Sequence, residues 1–276
     1  MSKQKVWFIT GASRGFGHQW AKNALKRGDK VAATARDPKA LDGLVTTYGD
    51  SVLALPLDVT DQAAVFKAVN QAHQHFGRLD VILSNAGYAL MGAVEETNLD
   101  DARANFETNV LGTLSVIRAA LPLLRTQGSG HILPVSSVGG LVTFPLGGIY
   151  QATKFAIEGL AQTLAQEVAA FGIKVTLIEP GPFATEFMSL SSMKHTAPMV
   201  EYEPIRQQLA MMLTPEMFGD PAATTDAIFK AVDDDEPPLH LVLGPLLPMI
   251  RQIYAGRLAS WTKWEAVSNA AFGARV

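Results

Sequence analysis

Residues 10–17, TGASRGFG, form a glycine-rich turn between two regular segments. The apolar run over 6–10 before the turn predicts a strand, and the pattern over 17–27 after it predicts a helix. Glycines allow a tight turn and a close approach of a ligand to the backbone. A helix N-terminus also offers unpaired N–H groups and a positive dipole to an anion such as a pyrophosphate. The stretch therefore predicts a dinucleotide site, although a glycine turn that binds nothing is compatible with these residues alone.

The same order of strand and helix recurs along most of the chain. Apolar runs predict strands over 6–10, 30–34, 52–57, 81–84, 130–136, 174–179 and 240–243, and helical patterns cover 17–27, 63–76, 101–124 and 153–171. Strands that are apolar throughout and separated by helices are typical of a parallel sheet covered on both faces. The prediction is an α/β doubly wound, Rossmann-type parallel sheet of about seven strands. Pro134 lies inside the fifth predicted strand, where a proline removes one ladder hydrogen bond.

The composition limits the classes of function. The chain has 276 residues, 48% of them hydrophobic, with a formal net charge of −3 and a pI near 6.1, which disfavours nucleic acid as a partner. It contains no cysteine, so disulfides, thiolate zinc sites and a cysteine nucleophile are excluded, and we predict no metal site. Its apolar runs fall short of the roughly 20 residues that a bilayer requires, and no signal peptide is recognised. We expect a cytoplasmic protein with no membrane partner.

A single domain over 1–276 is expected, with two special segments. The alternation stops over 186–225, which holds six of the nine methionines, and we interpret this segment as a substrate lid. The methionines either adapt to a bulky apolar substrate or fill a small core within the lid. Residues 245–276 are predicted to form a helical extension. Its Trp261, Trp264 and Phe272 have a spacing that suits packing on the body or on another subunit.

A Tyr-x-x-x-Lys pattern, Tyr150 to Lys154, begins the helical segment after the fifth strand. Residues four apart lie on one helix face, so the phenol and the ammonium can serve one site. This pattern alone is common by chance. Two upstream residues strengthen it: Ser137 at the end of the fifth strand and Asn109 in the long helical segment before it.

The glycine spacing TGxxxGxG and the ordered set Asn109, Ser137, Tyr150 and Lys154 resemble the short-chain dehydrogenase/reductase family over roughly residues 3–187. The resemblance implies hydride transfer between a nicotinamide cofactor and a ketone, aldehyde or secondary alcohol. Tyr150 is then the general acid/base, and the neighbouring Lys154 is expected to lower its pKa of about 10. Ser137 would hold the substrate oxygen. Asn109 would position a water that feeds a proton relay, or it is only a polar residue on a helix face.

The end of the second predicted strand selects the cofactor. Enzymes that use NAD generally place a carboxylate there for the ribose 2′-OH, whereas this chain has Ala35 followed by Arg36. A guanidinium pairs with a 2′-phosphate, and Arg14 adds a second positive charge, so the prediction is NADP(H). The alternative is that both arginines are merely solvated, with Asp37 partly neutralising the local charge.

The family resemblance also implies a set of cofactor contacts. In that set Asp58 accepts the adenine amino group, unless it only caps the next helix, and the backbone near Phe183 holds the nicotinamide carboxamide. The full set is Gly11, Ser13, Arg14, Gly15, Phe16, Gly17, Arg36, Asp58, Val59, Asn85, Ala86, Gly87, Asn109, Tyr150, Lys154, Pro180, Gly181, Phe183 and Thr185.

The substrate is expected to be an apolar small molecule. The residues close in sequence to the catalytic positions are apolar or aromatic: Tyr88, Val138, Leu141, Phe144, Phe183, Phe187 and Met188. The resemblance further implies a homodimer or homotetramer. Two other functions are compatible with parts of the pattern, an NADP(H)-binding redox sensor or scaffold without turnover and a sugar-nucleotide epimerase or dehydratase.

Overall fold

The computed structural model describes residues 4–188, 193–212 and 214–273, apart from the side chain of Met188. Its strands are β1 (Val6–Ile9), β2 (Lys30–Ala35), β3 (Val52–Pro56), β4 (Val81–Ser84), β5 (Ala89–Met91), β6 (Gly130–Pro134), β7 (Ile173–Val175), β8 (Leu177–Pro180), β9 (Met193–His195) and β10 (His240–Leu243). Its α-helices are α1 (Gly15–Lys26), α2 (Asp42–Tyr48), α3 (Gln62–Phe76), α4 (Leu99–Phe106), α5 (Gly112–Gln127), α6 (Gly148–Val168), α7 (Glu203–Met212), α8 (Thr224–Asp233) and α9 (Leu247–Ala271).

The central sheet is parallel, in the order β3-β2-β1-β4-β6-β7. The parallel pair β8 and β10 extends it, because Ser136 N donates to Ile178 O at 2.7 Å and Val135 forms a bridge with Ile178. The predicted doubly wound α/β sheet is therefore confirmed. The strand order reverses between β1 and β4, and ligands bind sheets of this kind at the carboxyl ends of the strands beside such a reversal.

Pro134 explains why the predicted strand over 174–179 is divided. Along this ladder Thr176 N donates to Ile132 O at 3.0 Å and Ser136 N donates to Ile178 O, so the nitrogen of Pro134 faces the carbonyl of Thr176. Proline has no N–H, and this one bond is missing from the ladder. The strand is interrupted at Thr176 and divides into β7 and β8, and the prediction of one continuous strand is wrong at that residue.

The core consists of two apolar layers, one on each face of the sheet. Along β1 the buried side chains alternate, with Trp7 and Ile9 in one layer and Phe8 in the other, as the two-residue period of a strand requires. Trp20 of α1 and Ile228 of α8 pack in the layer of Trp7. All three β1 side chains are fully buried, so the glycine turn that follows β1 starts from a rigid support.

The helix predicted over 101–124 is present, and residues 99–127 are helical without a break. It begins at Leu99 and contains a π-helical turn over Glu107–Leu111 between α4 and α5. Such one-turn insertions are frequent at functional sites, and this one contains Asn109. The helix predicted over 153–171 begins earlier, at the start of α6, so it includes Tyr150 in its first turn.

The segment interpreted as a lid is tied to the body through Glu96. Its carboxylate accepts hydrogen bonds from Met199 N at 2.7 Å and from Thr196 Oγ1 at 3.3 Å, and it pairs with Arg206. Burial acts to raise the pKa of Glu96, but the backbone N–H groups and Arg206 outweigh it, and the pKa is lowered. The Glu96 side chain is fully buried. Within the described structure its carboxylate binds three residues of the segment, and it thereby anchors the segment to the body.

The structure speaks against one of the two alternatives for the lid methionines and against one of the two for the C-terminal tryptophans. Met211, Met212 and Met217 are 77%, 62% and 49% exposed, so they do not form a core within the lid. Trp261 and Trp264 on α9 are also exposed, at 62% and 58%, and they do not pack on the body. Packing of α9 on another subunit stays a prediction. Across the described ranges, every helix is too short or too polar to pass through a bilayer.

The turn between β1 and α1 provides a direct test of the packing. A Cβ at Gly17 would lie 2.4 Å from Gly11 O and 2.5 Å from Asn85 Nδ2. We expect Gly17→Ala to lower the free energy of unfolding by about 1–3 kcal/mol, because the rigid neighbours must move. Denaturant unfolding measures this change.

Gly43→Ala is the matched control. Gly43 lies in α2, where an added Cβ would have no neighbouring atom within 4 Å, and alanine favours a helix over glycine. We expect this variant to be as stable as the wild type or more stable by up to about 1 kcal/mol. Equal stability of Gly17→Ala and the wild type would show that the turn tolerates a side chain there.

Candidate active site

The glycine turn and the end of β4 hold each other in place. Asn85 Nδ2 donates to the carbonyl oxygens of Thr10 and Gly11, both at 3.1 Å, and Thr10 Oγ1 accepts from Asn85 N and Ala86 N, both at 3.0 Å. Gly11 and Gly15 have φ of 66° and 56°, a region that glycine adopts without strain. The predicted turn therefore depends on its glycines for conformation and on Asn85 for position.

A cavity of about 530 Å³ runs along the carboxyl ends of β1, β2, β3 and β4. Twelve of the predicted cofactor residues line it: Gly11, Ser13, Arg14, Gly15, Phe16, Arg36, Asp58, Val59, Asn85, Ala86, Gly87 and Thr185. The other seven residues of the set do not line it: Gly17, Asn109, Tyr150, Lys154, Pro180, Gly181 and Phe183. The structure thus brings most of the predicted set to one groove, at the reversal of strand order.

The N-terminus of α1 faces this groove and already binds a carboxylate. Gly15 N donates to Glu186 Oε2 at 3.1 Å. A helix N-terminus attracts anions through its unpaired N–H groups and its dipole. An anionic phosphate suits the same position, so the residues present fit a dinucleotide.

The edge of the groove at β2 and β3 has the predicted polar residues. Arg36 is exposed and follows Ala35, which is buried at the end of β2. Asp58 Oδ1 accepts from Thr60 N at 2.9 Å and from Thr60 Oγ1 at 2.8 Å, while Asp61 caps α3 by accepting from Ala64 N. Asp58 therefore stabilises a turn and is not the helix cap.

The side chain of Phe183 packs against the apolar core. Its ring packs edge-on against Phe16, with ring centroids 5.4 Å apart, and lies against Gly219. Its carbonyl accepts from Thr185 N at 2.8 Å. The side chain therefore belongs to the support beneath the groove, and a backbone contact to a ligand stays a prediction.

Tyr150 and Ser137 meet at the start of α6. Tyr150 is 8% exposed and forms a side-chain hydrogen bond with Ser137. Ser137 Oγ also accepts from Gly139 N at 3.0 Å, because it caps the short turn Val138–Gly140. The ring of Phe187 lies 5.9 Å from the Tyr150 ring, so the phenol faces an aromatic side chain that also lines the groove.

Lys154 lies one helical turn after Tyr150 and is almost fully buried. Its Nζ donates to Val135 O at 2.8 Å and lies 5.7 Å from the centre of the Tyr150 ring. The carbonyl oxygen of Val135 thereby holds the ammonium group of Lys154 near the Tyr150 ring. The predicted pairing of Tyr150 and Lys154 on one helix face is present in the structure.

Asn109 is buried in the π-helical turn, and its side chain is fully engaged. Its Nδ2 donates to Tyr88 O and to Thr153 Oγ1, both at 3.0 Å, and its Oδ1 accepts from Tyr88 N at 3.1 Å. These bonds join the segment after β4 to the start of α6, close to Tyr150. The observed role of the amide is bracing, and the proposed contact with a water stays a prediction.

Three site residues were not singled out in the sequence: Glu158, Glu179 and His240. Glu158 lies one turn beyond Lys154 on α6, and its spacing of four was a signal that could have been used. Glu179 and His240 come from the ends of neighbouring strands β8 and β10, and only the register brings them together. One carboxylate oxygen of Glu158, one of Glu179 and one ring nitrogen of His240 all lie within 4.8 Å of one another.

The glycine turn and the Tyr150 helix both fall inside a segment that a known family matches. The sequence model of the short chain dehydrogenase family matches residues 5–195, more than half of the chain. The chain belongs to the short-chain dehydrogenase family. The resemblance inferred from the motifs is thereby confirmed, and the protein is an oxidoreductase of this family.

Two relatives are similar to this short-chain dehydrogenase over nearly their whole length. An oxidoreductase of Botryotinia fuckeliana is 42% identical over 275 residues, which cover 96% of this chain and 98% of that protein. A 3-ketodihydrosphingosine reductase of Bacteroides thetaiotaomicron is 34% identical over 260 residues, 93% of each chain.

Solved structures show the same fold. A short-chain dehydrogenase from Streptomyces avermitilis has a TM-score of 0.89 and 39% identity, covering 98% of this chain and 99% of its own. ElxO, solved with NADP bound, has a TM-score of 0.74 and 30% identity over 87% of this chain and 96% of its own. A short-chain dehydrogenase/reductase from Burkholderia phymatum, in complex with NAD, has a TM-score of 0.78 and 26% identity over 90% of this chain and 92% of its own. Structural neighbours of this dehydrogenase therefore bind either nucleotide.

The electrostatics of the dehydrogenase site differ from the simple expectation. Burial raises the pKa of Tyr150 to about 12, against the hydrogen bond with Ser137, which lowers it. Burial also lowers the pKa of Lys154 to about 8, against the charge of Glu158, which raises it. In the protein alone, burial therefore sets the direction of the Tyr150 shift, and its pKa is raised. The lowering expected from Lys154 together with an oxidised nicotinamide stays a prediction.

This result predicts the titration of Tyr150 without cofactor. We expect Tyr150 to stay a neutral phenol above its ordinary pKa of 10, because burial disfavours the phenolate. The tyrosinate ultraviolet difference spectrum between wild type and Tyr150→Phe measures it. Ser137→Ala should move the transition to still higher pH, since it removes the bond that lowers the pKa. A tyrosinate that forms near neutral pH would contradict the dominance of burial.

Proposed function

We propose that this oxidoreductase depends on NADP(H) and interconverts an apolar ketone or aldehyde and the corresponding alcohol. The observation that carries the proposal is the buried Tyr150 hydroxyl, hydrogen-bonded with Ser137 and backed by Lys154, beside a glycine-lined groove. The cofactor, when bound, supplies or accepts the hydride. The residues of this chain then handle the proton and the substrate oxygen.

Tyr150 suits the role of proton donor in the reductive direction. Its raised pKa keeps the phenol protonated at neutral pH, so a proton is available when a carbonyl oxygen becomes an alkoxide. Ser137 adds a hydroxyl next to the phenol that can donate to the same oxygen. Lys154, held by Val135 O, places a positive charge below the phenol and offsets the phenolate formed when the proton leaves.

The preference for NADP(H) rests on the edge of the groove after β2. Arg36 lines the groove, and the preceding residue, Ala35, has no carboxylate to repel a 2′-phosphate. Arg14 lines the same groove and adds positive charge. ElxO, which has NADP bound in its solved structure, supports this choice, whereas the Burkholderia phymatum protein shows that the fold also accepts NAD.

The surroundings of Tyr150 support an apolar substrate. The ring of Phe187 faces the phenol, and Tyr88 and Met193 line the adjoining groove. Val138 and Leu141 are buried with Ile250 of α9 beside the Ser137 turn, which gives this side of the site an apolar wall. The name of the Bacteroides relative, 3-ketodihydrosphingosine reductase, describes the reduction of a ketone and agrees with this proposal.

A redox sensor that binds NADP(H) without turnover is the second candidate. It is less favoured because the chain keeps both Tyr150 and Lys154, with Lys154 Nζ 5.7 Å from the centre of the Tyr150 ring. We further propose a cytoplasmic homodimer or homotetramer, and the exposed tryptophans of α9 offer one surface for subunit packing. Turnover on a panel of ketones and alcohols separates enzyme from sensor.

The first test removes the Tyr150 hydroxyl. We expect Tyr150→Phe to lower kcat for ketone reduction by at least about a hundredfold, the usual size of a general acid–base contribution. Binding of NADPH, followed by fluorescence titration, should be almost unchanged. Tyr254→Phe on the exposed face of α9 is the matched control and should keep wild-type kcat. Most of the activity surviving in Tyr150→Phe would rule out this mechanism.

The second test reverses the charge at the end of β2. We expect Arg36→Asp to weaken NADPH binding by about 10- to 100-fold, since a charge-assisted hydrogen bond contributes about 1.5–3 kcal/mol. NADH binding should change little. Lys39→Asp makes the same charge change on an exposed residue that does not line the groove, and should leave both constants unchanged. NADPH affinity that is equal in Arg36→Asp and wild type would refute the proposed selectivity.

A further inference from the structure

Two glutamates and one histidine from three separate elements meet on one face of the β8–β10 pair. Glu158 belongs to α6, Glu179 to β8 and His240 to β10. His240 is paired with Leu177, two residues before Glu179, so His240 and Glu179 lie on the same face of the two strands. One carboxylate oxygen of each glutamate and one ring nitrogen of His240 all lie within 4.8 Å of one another. The fold therefore brings three possible metal ligands to one point.

The three side chains reach from the core to the surface. The Glu179 side chain is fully buried and that of Glu158 is 5% exposed, whereas that of His240 is 40% exposed. His240 Nδ1 lies 2.6 Å from Glu179 Oε1 and 3.6 Å from Glu158 Oε2. The partly exposed imidazole thus gives a small ion from solvent an entrance to both buried carboxyl groups.

Most of the buried carboxyl oxygens lack a partner. Among the residues that the structure describes, neither oxygen of Glu158 has a hydrogen bond of normal geometry, and the same is true of Glu179 Oε2. Burial raises the pKa of both groups, because a carboxylate charge is costly without a partner at this depth. Buried polar atoms in folded proteins are nearly always satisfied. Three unsatisfied oxygens that point into one cluster therefore indicate a ligand.

A serine hydroxyl adds a neutral oxygen at the same place. Ser136 follows β6, and its buried Oγ also has no hydrogen-bond partner in the described part of the chain. A Cβ at Gly140 would lie 2.6 Å from Ser136 Oγ and 3.1 Å from Glu158 Oε1. Because Gly140 has no side chain, both oxygens can approach the same point.

The protein supplies little positive charge to the two carboxylates. In the described ion pairs, Glu158 and Glu179 take part only in those with His240, which is charged only when protonated. Lys154 lies one helical turn before Glu158, but its Nζ donates to Val135 O at 2.8 Å. A divalent cation between the carboxylates matches their two negative charges and so offsets the cost of burying them.

The donor set selects the class of cation. Three atoms this close can all bond to one ion at the roughly 2.0–2.2 Å of Zn–N and Zn–O bonds after small rotations of the side chains. Mg²⁺ and Ca²⁺ take oxygen ligands, whereas an imidazole together with carboxylates suits Zn²⁺ and its first-row neighbours. The cluster therefore fits a divalent transition metal.

We propose that Glu158, Glu179 and His240 bind one divalent transition-metal ion, with the Ser136 hydroxyl or a water as a further ligand. The ion ties α6, β8 and β10 together, and its role is structural because none of its three ligands lines the groove. The sequence predicted no metal site because it contains no cysteine, whereas these donors are carboxylates and an imidazole that only the fold brings together. The inference is independent of the proposed reductase function.

Zn²⁺ is the probe for metal binding. Protein without an affinity tag, stripped with EDTA, is titrated with ZnCl₂ in competition with a chromophoric chelator. We expect one Zn²⁺ per chain. Glu179→Gln should weaken binding by at least about a hundredfold, because loss of a group behind the ligands already costs about 10–100-fold. His240→Asn removes the ligand at the exposed end and carries the same test if Glu179→Gln fails to fold.

Glu167→Gln and His75→Asn are the matched controls. Glu167 lies on the exposed face of α6, and His75 is exposed near the end of α3. Both variants should bind Zn²⁺ as tightly as the wild type. Zn²⁺ affinity that is the same in the wild type, the controls and Glu179→Gln comes from surface groups and overturns the proposal.

Thermal unfolding separates metal binding from a packing defect. Zn²⁺ at about a hundred times its Kd should raise the wild-type Tm by about 5–10 °C, and EDTA should reverse the change. In EDTA, Glu158→Gln should unfold at or above the wild-type temperature, since the amide removes a buried carboxyl group. Zn²⁺ should raise the Tm of this variant much less. A wild-type Tm that Zn²⁺ leaves unchanged overturns the proposal.

A proton held between the two carboxyl groups is the competing explanation of their burial. A metal binds carboxylates in their ionised form. With saturating Zn²⁺ we therefore expect no carboxylic acid C=O band from Glu158 or Glu179 in the infrared spectrum. Such a band, present in the wild type and lost in Glu158→Gln, overturns the metal site.

Discussion

The hydrogen bonds between the ends of β1 and β4 support the rest of the site. The Asn85 amide donates to the carbonyls of Thr10 and Gly11, and the Thr10 hydroxyl accepts two N–H groups from the other side. These four bonds hold the glycine turn at the reversal of strand order, where the helix N-terminus of α1 faces the groove. Because Gly17 lies against the same atoms without a Cβ, the turn can approach this closely only with the residues it has. The groove, the position of Arg36 and the approach to Tyr150 all follow from that arrangement.

Burial is the second constraint, and it acts on the charges of the site. Tyr150, Lys154 and Glu158 all lie on the inner face of α6, and each has its pKa moved toward the neutral form. Between its lowered pKa of about 8 and its ordinary value, Lys154 is neutral in the folded protein and protonated in the unfolded chain, so the fold loses stability as the pH falls through this range. A glutamate with a raised pKa has the opposite dependence and destabilises the fold as the pH rises. The three groups in this row of α6 are therefore all displaced toward their neutral forms.

The sequence predicted much of this, and the exceptions have physical causes. The strand–helix alternation, the glycine turn and the row of Tyr150 and Lys154 depend on local spacing, and the structure contains them. The continuous strand over 174–179 was wrong because Pro134, on a neighbouring strand, removes the bond at Thr176. The helix over 101–124 is present, but its period did not predict the π-helical turn that places Asn109 toward Tyr88 and Thr153. Each exception arises from a partner distant in the chain, which a local pattern does not contain.

By itself, the sequence determined the family, the parallel sheet, the glycine turn and the spacing of the candidate catalytic residues, because these features lie in local motifs and in the periods of strands and helices. The tertiary structure alone decided the environment of those residues. It buried Tyr150 deeply enough to raise its pKa, and it left Met211, Trp261 and Trp264 at the surface. It also joined Glu158 to Glu179 and His240 through the register of β8 and β10. Desolvation and long-range register depend on how separate segments pack, so no spacing within one segment encodes them.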